Sequence, residues 1–109
     1  MPVLWTAAKR HDCDVNDIAK WLCQNSSKLP GLEKSKGKIK KGYDADLVVW
    51  DEKESFTVAE EMILHKHKIT PYLKEKLFGV VEQTYIAGEK VYDSGKLKLN
   101  KGKLLLHEF

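Results

Sequence analysis

Cysteine, arginine and long apolar runs are all scarce in this sequence. Its two cysteines, Cys13 and Cys23, lie ten residues apart without a CxxC spacing, and two cysteines cannot define a disulfide framework. We therefore expect free thiols in a reducing compartment. No apolar run approaches the roughly 18 residues of a membrane span, and the first residues lack the order of a signal peptide. These absences predict a cytoplasmic protein without a membrane partner.

Positive charge is carried by lysine, because Arg10 is the only arginine. The 19 basic and 16 acidic side chains give a net charge of +3, and they alternate in stretches such as DEKE and KEK. Such mixing is typical of a solvated surface. A nucleic-acid binder usually clusters its basic side chains on one face, so we expect no nucleic-acid partner. The 109 residues, 42% of them apolar, permit one compact domain.

Residues 1–33 have a helical pattern. Asp14 is the expected N-cap of a helix, with Asp17 at the N3 position, where its charge favours the positive helix end. Because Asp17 is neither Glu nor Gln, the capping box is expected to be incomplete. VLWTAAKR predicts the end of a preceding helix. The apolar face of the main helix consists of Val15, Ile18, Ala19, Leu22 and Cys23. Because Cys23 lies on this face, we expect it to pack in a core.

From about residue 34 onward the pattern is one of strands and turns. KGKIKKG predicts an edge strand or an extended loop, and DADLVVW predicts a strand buried on both faces. DEKES is expected to be a turn and FTV a short strand, whereas AEEMILHKHK is ambiguous between a helical turn and extended chain. VVEQTYI and EKVYD predict a hairpin, with Gly88 able to adopt positive φ in its turn. Helices followed by a β meander indicate an α+β fold or parts of two domains.

The sharpest candidate for metal binding is HKHK. On a strand, His65 and His67 would point to the same side and could hold one zinc ion at about 2.0–2.1 Å. A metal site needs a third ligand, which is not evident, and Lys66 and Lys68 add positive charge beside the cation. The alternative interpretation, a basic and partly exposed loop, is favoured.

No other group of residues predicts an active site. The acids Asp44 and Asp46 precede the central strand and are expected to form a turn and cap strand-end amides. No serine or cysteine has the context of a nucleophile, and no glycine-rich loop has phosphate-binding spacing. The remaining candidates are isolated histidines and acids expected at the surface: His11, His107, Glu52, Glu54, Glu60 and Glu61. We therefore predict no catalytic, cofactor-binding or metal-binding residue in this chain.

Several segments, in order, resemble the C-terminal end of the allantoinase family of cyclic amidohydrolases. They are PVLWTAAKR, DIAKWLCQNSSKLPGL, KGKIKKGYDADLVVWD, ILHKHKITPYL and LFGVVEQTYIAGEKVYDSG. GxDADLVVWD and the TYIAGEKVYDSG hairpin are broad features of the superfamily. HKHKITPY is more specific to allantoinases than to dihydropyrimidinases, hydantoinases or dihydroorotases.

The resemblance implies an incomplete (β/α)8 barrel hydrolase with a β-sandwich. Residues 1–33 would be the terminal barrel helices and residues 34–109 the C-terminal part of the sandwich. Allantoinases open the hydantoin ring of allantoin to allantoate in purine catabolism, using a zinc pair that activates water, and relatives are often homo-oligomers. The zinc ligands of the family would all precede Pro2, so no site residue is carried over. We expect the isolated chain to be an inactive fragment; the alternatives are another cyclic amidohydrolase, such as a dihydropyrimidinase or hydantoinase, and a non-catalytic binding or assembly module.

Overall fold

A computed structural model describes residues 1–99 and 102–105 of the chain, and it has the predicted α+β class. Short helices come first, and a four-stranded antiparallel sheet with strand order β1-β2-β3-β4 follows. The helical elements are α1 (Pro2–Lys9), α2 (Val15–Ile18), a π-helical segment (Ala19–Asn25), α3 (Ser26–Lys28) and a 3-10 turn (Glu60–Met62). The strands are β1 (Leu47–Thr57), β2 (Lys76–Ile86), β3 (Glu89–Asp93) and β4 (Lys96–Leu97).

The start of α2 is better capped than the sequence indicates. Asp14 accepts hydrogen bonds from the backbone N–H groups of Asn16 and Asp17, as expected of an N-cap. The expectation of an incomplete capping box is wrong, since the Asp17 carboxylate accepts a 3.0 Å hydrogen bond from the Asp14 N–H. The shorter Asp side chain therefore closes the reciprocal bond that Glu or Gln usually makes.

The helix that follows Asp14 does not keep an α-helical register. Its middle, Ala19–Asn25, is π-helical, and π-type bonds reach one residue further along the chain than α-helical bonds do. The predicted apolar stripe is thereby displaced. Ile18 is buried, but Leu22 is 41% exposed and Cys23 is exposed. The prediction that Cys23 packs in a core is therefore wrong.

Strand β1 is longer than predicted and is irregular. DEKES was expected to be a turn but lies inside the strand. From Asp51 to Ser55 β1 advances four residues, while its partner β2 advances only two, from Val80 to Phe78, so the extra residues of β1 form a bulge. Such a bulge bends a strand without ending it. Asp51 Oδ1 accepts from the backbone N–H groups of Lys53 and Glu54, at 2.7 and 3.1 Å, and so satisfies donors that the ladder leaves unpaired.

The apolar start of β1 is more exposed than predicted. Leu47, Val48 and Val49 are 38%, 46% and 44% exposed, so the expectation of a strand buried on both faces is wrong. Further along the strand, Trp50 and Glu52 contact Trp5 of α1. The preceding KGKIKKG stretch is a loop without strand structure, which settles the choice between edge strand and loop.

The predicted hairpin is confirmed, with β2 paired antiparallel to β3. Its two-residue turn places Ala87 and Gly88 at φ values of 49° and 80°, as a primed hairpin turn requires. Ser94 and Gly95, at φ values of 46° and 90°, repeat this turn before β4.

The main buried cluster lies between helix α1 and the sheet. Trp5, Ala8 and Ile18 form its centre, and Trp50 and Phe78 of the sheet pack against it. The rings of Trp5 and Trp50 meet edge to face, with centroids 5.4 Å apart and an interplanar angle of 80°. The core therefore joins the helical segment to the strands.

Candidate functional site

The histidines of HKHK lie in an exposed bend between the 3-10 turn and β2. The strand geometry that would align His65 and His67 is therefore absent, and the favoured interpretation of an exposed basic loop is confirmed. Lys68 donates through Nζ to the backbone oxygen of Ile63, which holds the end of the loop. In residues 1–99 and 102–105, no three His, Cys, Asp or Glu side chains come close enough together to hold a metal ion.

The candidate glutamates are dispersed. Glu54 lies exposed in the β1 bulge, and Glu60 and Glu61 lie exposed in the 3-10 turn. Glu52 is half-buried, but it contributes its backbone oxygen, not its carboxylate, to the contact with Trp5. Three of the four glutamates are therefore exposed, as expected of surface acids.

The remaining single candidates also lack catalytic surroundings. Cys13 is half-buried against the core, and its Sγ donates a 3.5 Å hydrogen bond to the backbone oxygen of His11. The His11 side chain is exposed, and His107 lies outside the described residues. A nucleophilic thiol needs activation, for example by an adjacent base, and the hydrogen-bond partner of this thiol is a backbone carbonyl oxygen.

A charged cluster joins the lysine-rich loop to the start of β1. Lys36 Nζ lies 2.9 Å from Asp44 Oδ2 and also contacts Asp46 Oδ2. Asp46 Oδ1 accepts a 2.9 Å hydrogen bond from the backbone N–H of Ala87, in the turn between β2 and β3. The expectation that Asp46 caps a strand-end amide is confirmed.

Backbone bonds hold this cluster in place. The Gly88 N–H donates to the Ala45 oxygen at 3.0 Å, next to the Asp46–Ala87 contact. At the other end, the Asp44 N–H donates to the Ser35 oxygen at 2.8 Å, and the Tyr43 hydroxyl donates to the Glu33 oxygen at 3.0 Å. The loop is therefore fixed both to itself and to the hairpin.

The electrostatics of this cluster suit a structural clamp. The pKa of Asp46 is lowered from its usual 3.8, mainly by the hydrogen bond from Lys36 and then by the Ala87 N–H. The pKa of Lys36 is raised from its usual 10.5 by its hydrogen bonds to Asp46 and Asp44. A general acid or base works best with a pKa near the working pH. Both shifts move away from neutrality and favour the charged pair, which suits a structural role.

Three residues connect α1 to the sheet in ways that the sequence did not predict. Trp5 and Thr6 bond to backbone groups 47 and 72 positions away, which a helical pattern alone does not reveal. Gly79 left a weak signal, because an isolated glycine inside a strand pattern suggests a bulge or a close backbone approach. Its hypothetical Cβ would lie 3.1 Å from Trp5 Cδ1 and 3.2 Å from the Trp50 ring.

Similarity to known proteins places the chain in a family. The model of the amidohydrolase family matches residues 6–92. The chain belongs to the amidohydrolase family. This amidohydrolase chain is 39% identical to "Probable allantoinase 2" of Dictyostelium discoideum, over 93% of its own length and 20% of that protein's. It is 35% identical to the allantoinase of Streptomyces avermitilis, over 99% of its length and 24% of that protein's. The resemblance to allantoinases is thereby confirmed.

The fold is also found within a larger hydrolase. The amidohydrolase chain matches the L-hydantoinase (dihydropyrimidinase) from Arthrobacter aurescens with a TM-score of 0.82 at 23% identity. The match covers 91% of this chain and 22% of that one. The chain thus spans about a fifth to a quarter of the length of these relatives. Among the described residues, no helix is long and apolar enough to cross a membrane.

Proposed function

We propose that this chain is the C-terminal part of a cyclic amide hydrolase that opens the hydantoin ring of allantoin to give allantoate. The observation that carries the proposal is the similarity to allantoinases, at 39% and 35% identity, over nearly the whole chain. The hydantoinase-like fold supports the broader assignment to enzymes acting on cyclic amides. Allantoin is then the small-molecule substrate of the complete enzyme.

In this proposal residues 1–33 are the terminal helices of the catalytic barrel, and residues 34–109 are the C-terminal part of the β-sandwich. Helix α1 supports a continuous connection between the two, because its residues Trp5 and Thr6 bond directly to β1 and β2. The contribution of this chain is structural: it anchors a barrel helix to a sheet through side chains and a shared core.

The zinc pair implied by the resemblance does not fit the described part of this chain. No three potential ligand side chains are grouped there, and His65 and His67 are exposed in a bend. We therefore assign no residue of this chain to metal binding or catalysis. We infer that the chain alone does not hydrolyse allantoin and that any zinc is held by residues outside it. A cytoplasmic location and a homo-oligomeric enzyme remain part of the proposal.

A second candidate is another cyclic amidohydrolase, favoured by the match to a hydantoinase (dihydropyrimidinase). The deciding experiment begins with the size of the native polypeptide, by immunoblot of source tissue with an antibody against residues 51–75. A band several times larger than 12.5 kDa supports the proposal, and the purified protein is then assayed on allantoin and dihydrouracil. Faster opening of dihydrouracil would replace allantoin hydrolysis with dihydropyrimidinase activity.

The third candidate is a non-catalytic binding or assembly module, which is favoured by the helix–sheet core within the chain itself. It predicts a band at 12.5 kDa alone. A larger native band together with allantoin hydrolysis would exclude it.

A further inference from the structure

We draw no further inference here: the strongest candidate, the exposed apolar run Leu47–Val49 at the start of strand β1, is an unpartnered apolar face, and nothing in the described residues shows what covers it.

Discussion

The indole N–H of Trp5 donates a 2.9 Å hydrogen bond to the backbone oxygen of Glu52, which lies within the β1 bulge. A bulge leaves backbone groups without ladder partners, and here a helix side chain satisfies one of them. The same ring packs edge to face on Trp50. One side chain thus provides both apolar contact and a polar bond between α1 and β1.

Replacing Trp5 with Phe should test this connection between α1 and β1. Trp5→Phe keeps an aromatic ring in the core, but it leaves the Glu52 oxygen without its donor and fills less of the core, so we expect a loss of at least about 1 kcal/mol in the free energy of unfolding. Urea unfolding of the 109-residue chain, followed by circular dichroism, measures this loss. Trp21→Phe is the matched control, because Trp21 is 38% exposed and lies outside the buried cluster around Trp5. Equal effects of the two substitutions would show that the hydrogen bond does not matter.

Thr6 connects the next position of α1 to β2. Its Oγ1 donates to the Pro2 oxygen and accepts from the Phe78 N–H, each at 2.8 Å. Thr6→Val preserves the shape but removes the acceptor, and the partly buried Phe78 N–H, left without a partner, should then cost about 1–2 kcal/mol. Thr6→Ser keeps the hydroxyl and should recover most of this loss in the same unfolding experiment. If Thr6→Ser were as unstable as Thr6→Val, packing of the methyl group would be the cause.

Gly79 should tolerate no side chain. It is buried with φ at 91°, and a Cβ would meet both Trp5 and Trp50 at 3.1–3.2 Å. Gly95 has nearly the same φ, 90°, but has nothing within 4 Å of its hypothetical Cβ. Both alanine substitutions carry backbone strain, so their difference isolates the collision. We expect Gly79→Ala to be less stable than Gly95→Ala by about 1–3 kcal/mol.

The thermal unfolding midpoints of these two glycine variants provide an independent check. Similar midpoints would mean that the tryptophan rings move aside without cost, and the close approach of β2 to α1 would then have no energetic role. A lower midpoint for Gly79→Ala would establish that the helix–sheet joint depends on this glycine.

Local signals in the sequence were reliable where neighbouring residues decide the structure. The N-cap at Asp14 and the turn at Gly88 depend on bonds or φ values within a few residues, and both predictions were confirmed. The family resemblance also depended on short segments of contiguous sequence. These features need no knowledge of the tertiary contacts.

The wrong predictions concern segments whose structure is decided by distant contacts or by unusual backbone geometry. DEKES has the composition of a turn, yet the Asp51 carboxylate and the Trp5 indole satisfy its backbone within β1. Cys23 is exposed because the helix is π-helical around it, and the periodicity of the sequence does not predict a π-helical segment. The hypothesis of a metal site at His65 and His67 required both residues to lie on a strand, but the chain forms a bend there.

The ion pair between Lys36 and Asp46 predicts that the free energy of unfolding depends on pH. The folded pKa of Asp46 lies below its usual 3.8, so its contribution to stability is present above the unfolded pKa and is lost as pH falls through the folded value. Lys36 behaves oppositely: its contribution is present below 10.5 and is lost as pH rises through its raised folded pKa. Between these limits the ion pair is complete.

Asp46→Asn should therefore lower the free energy of unfolding at neutral pH, and its stability should converge with that of the unmodified chain as pH falls from about 5. Urea unfolding at a series of pH values measures both curves. Asp12→Asn is the control, since this exposed carboxylate makes no ion pair with another described residue. A constant difference between the Asp46→Asn and unmodified curves across the acid range would contradict the prediction. The lost stability would then come from altered turn geometry at Ala87, because a neutral amide and a protonated carboxyl should weaken the contact with Lys36 alike.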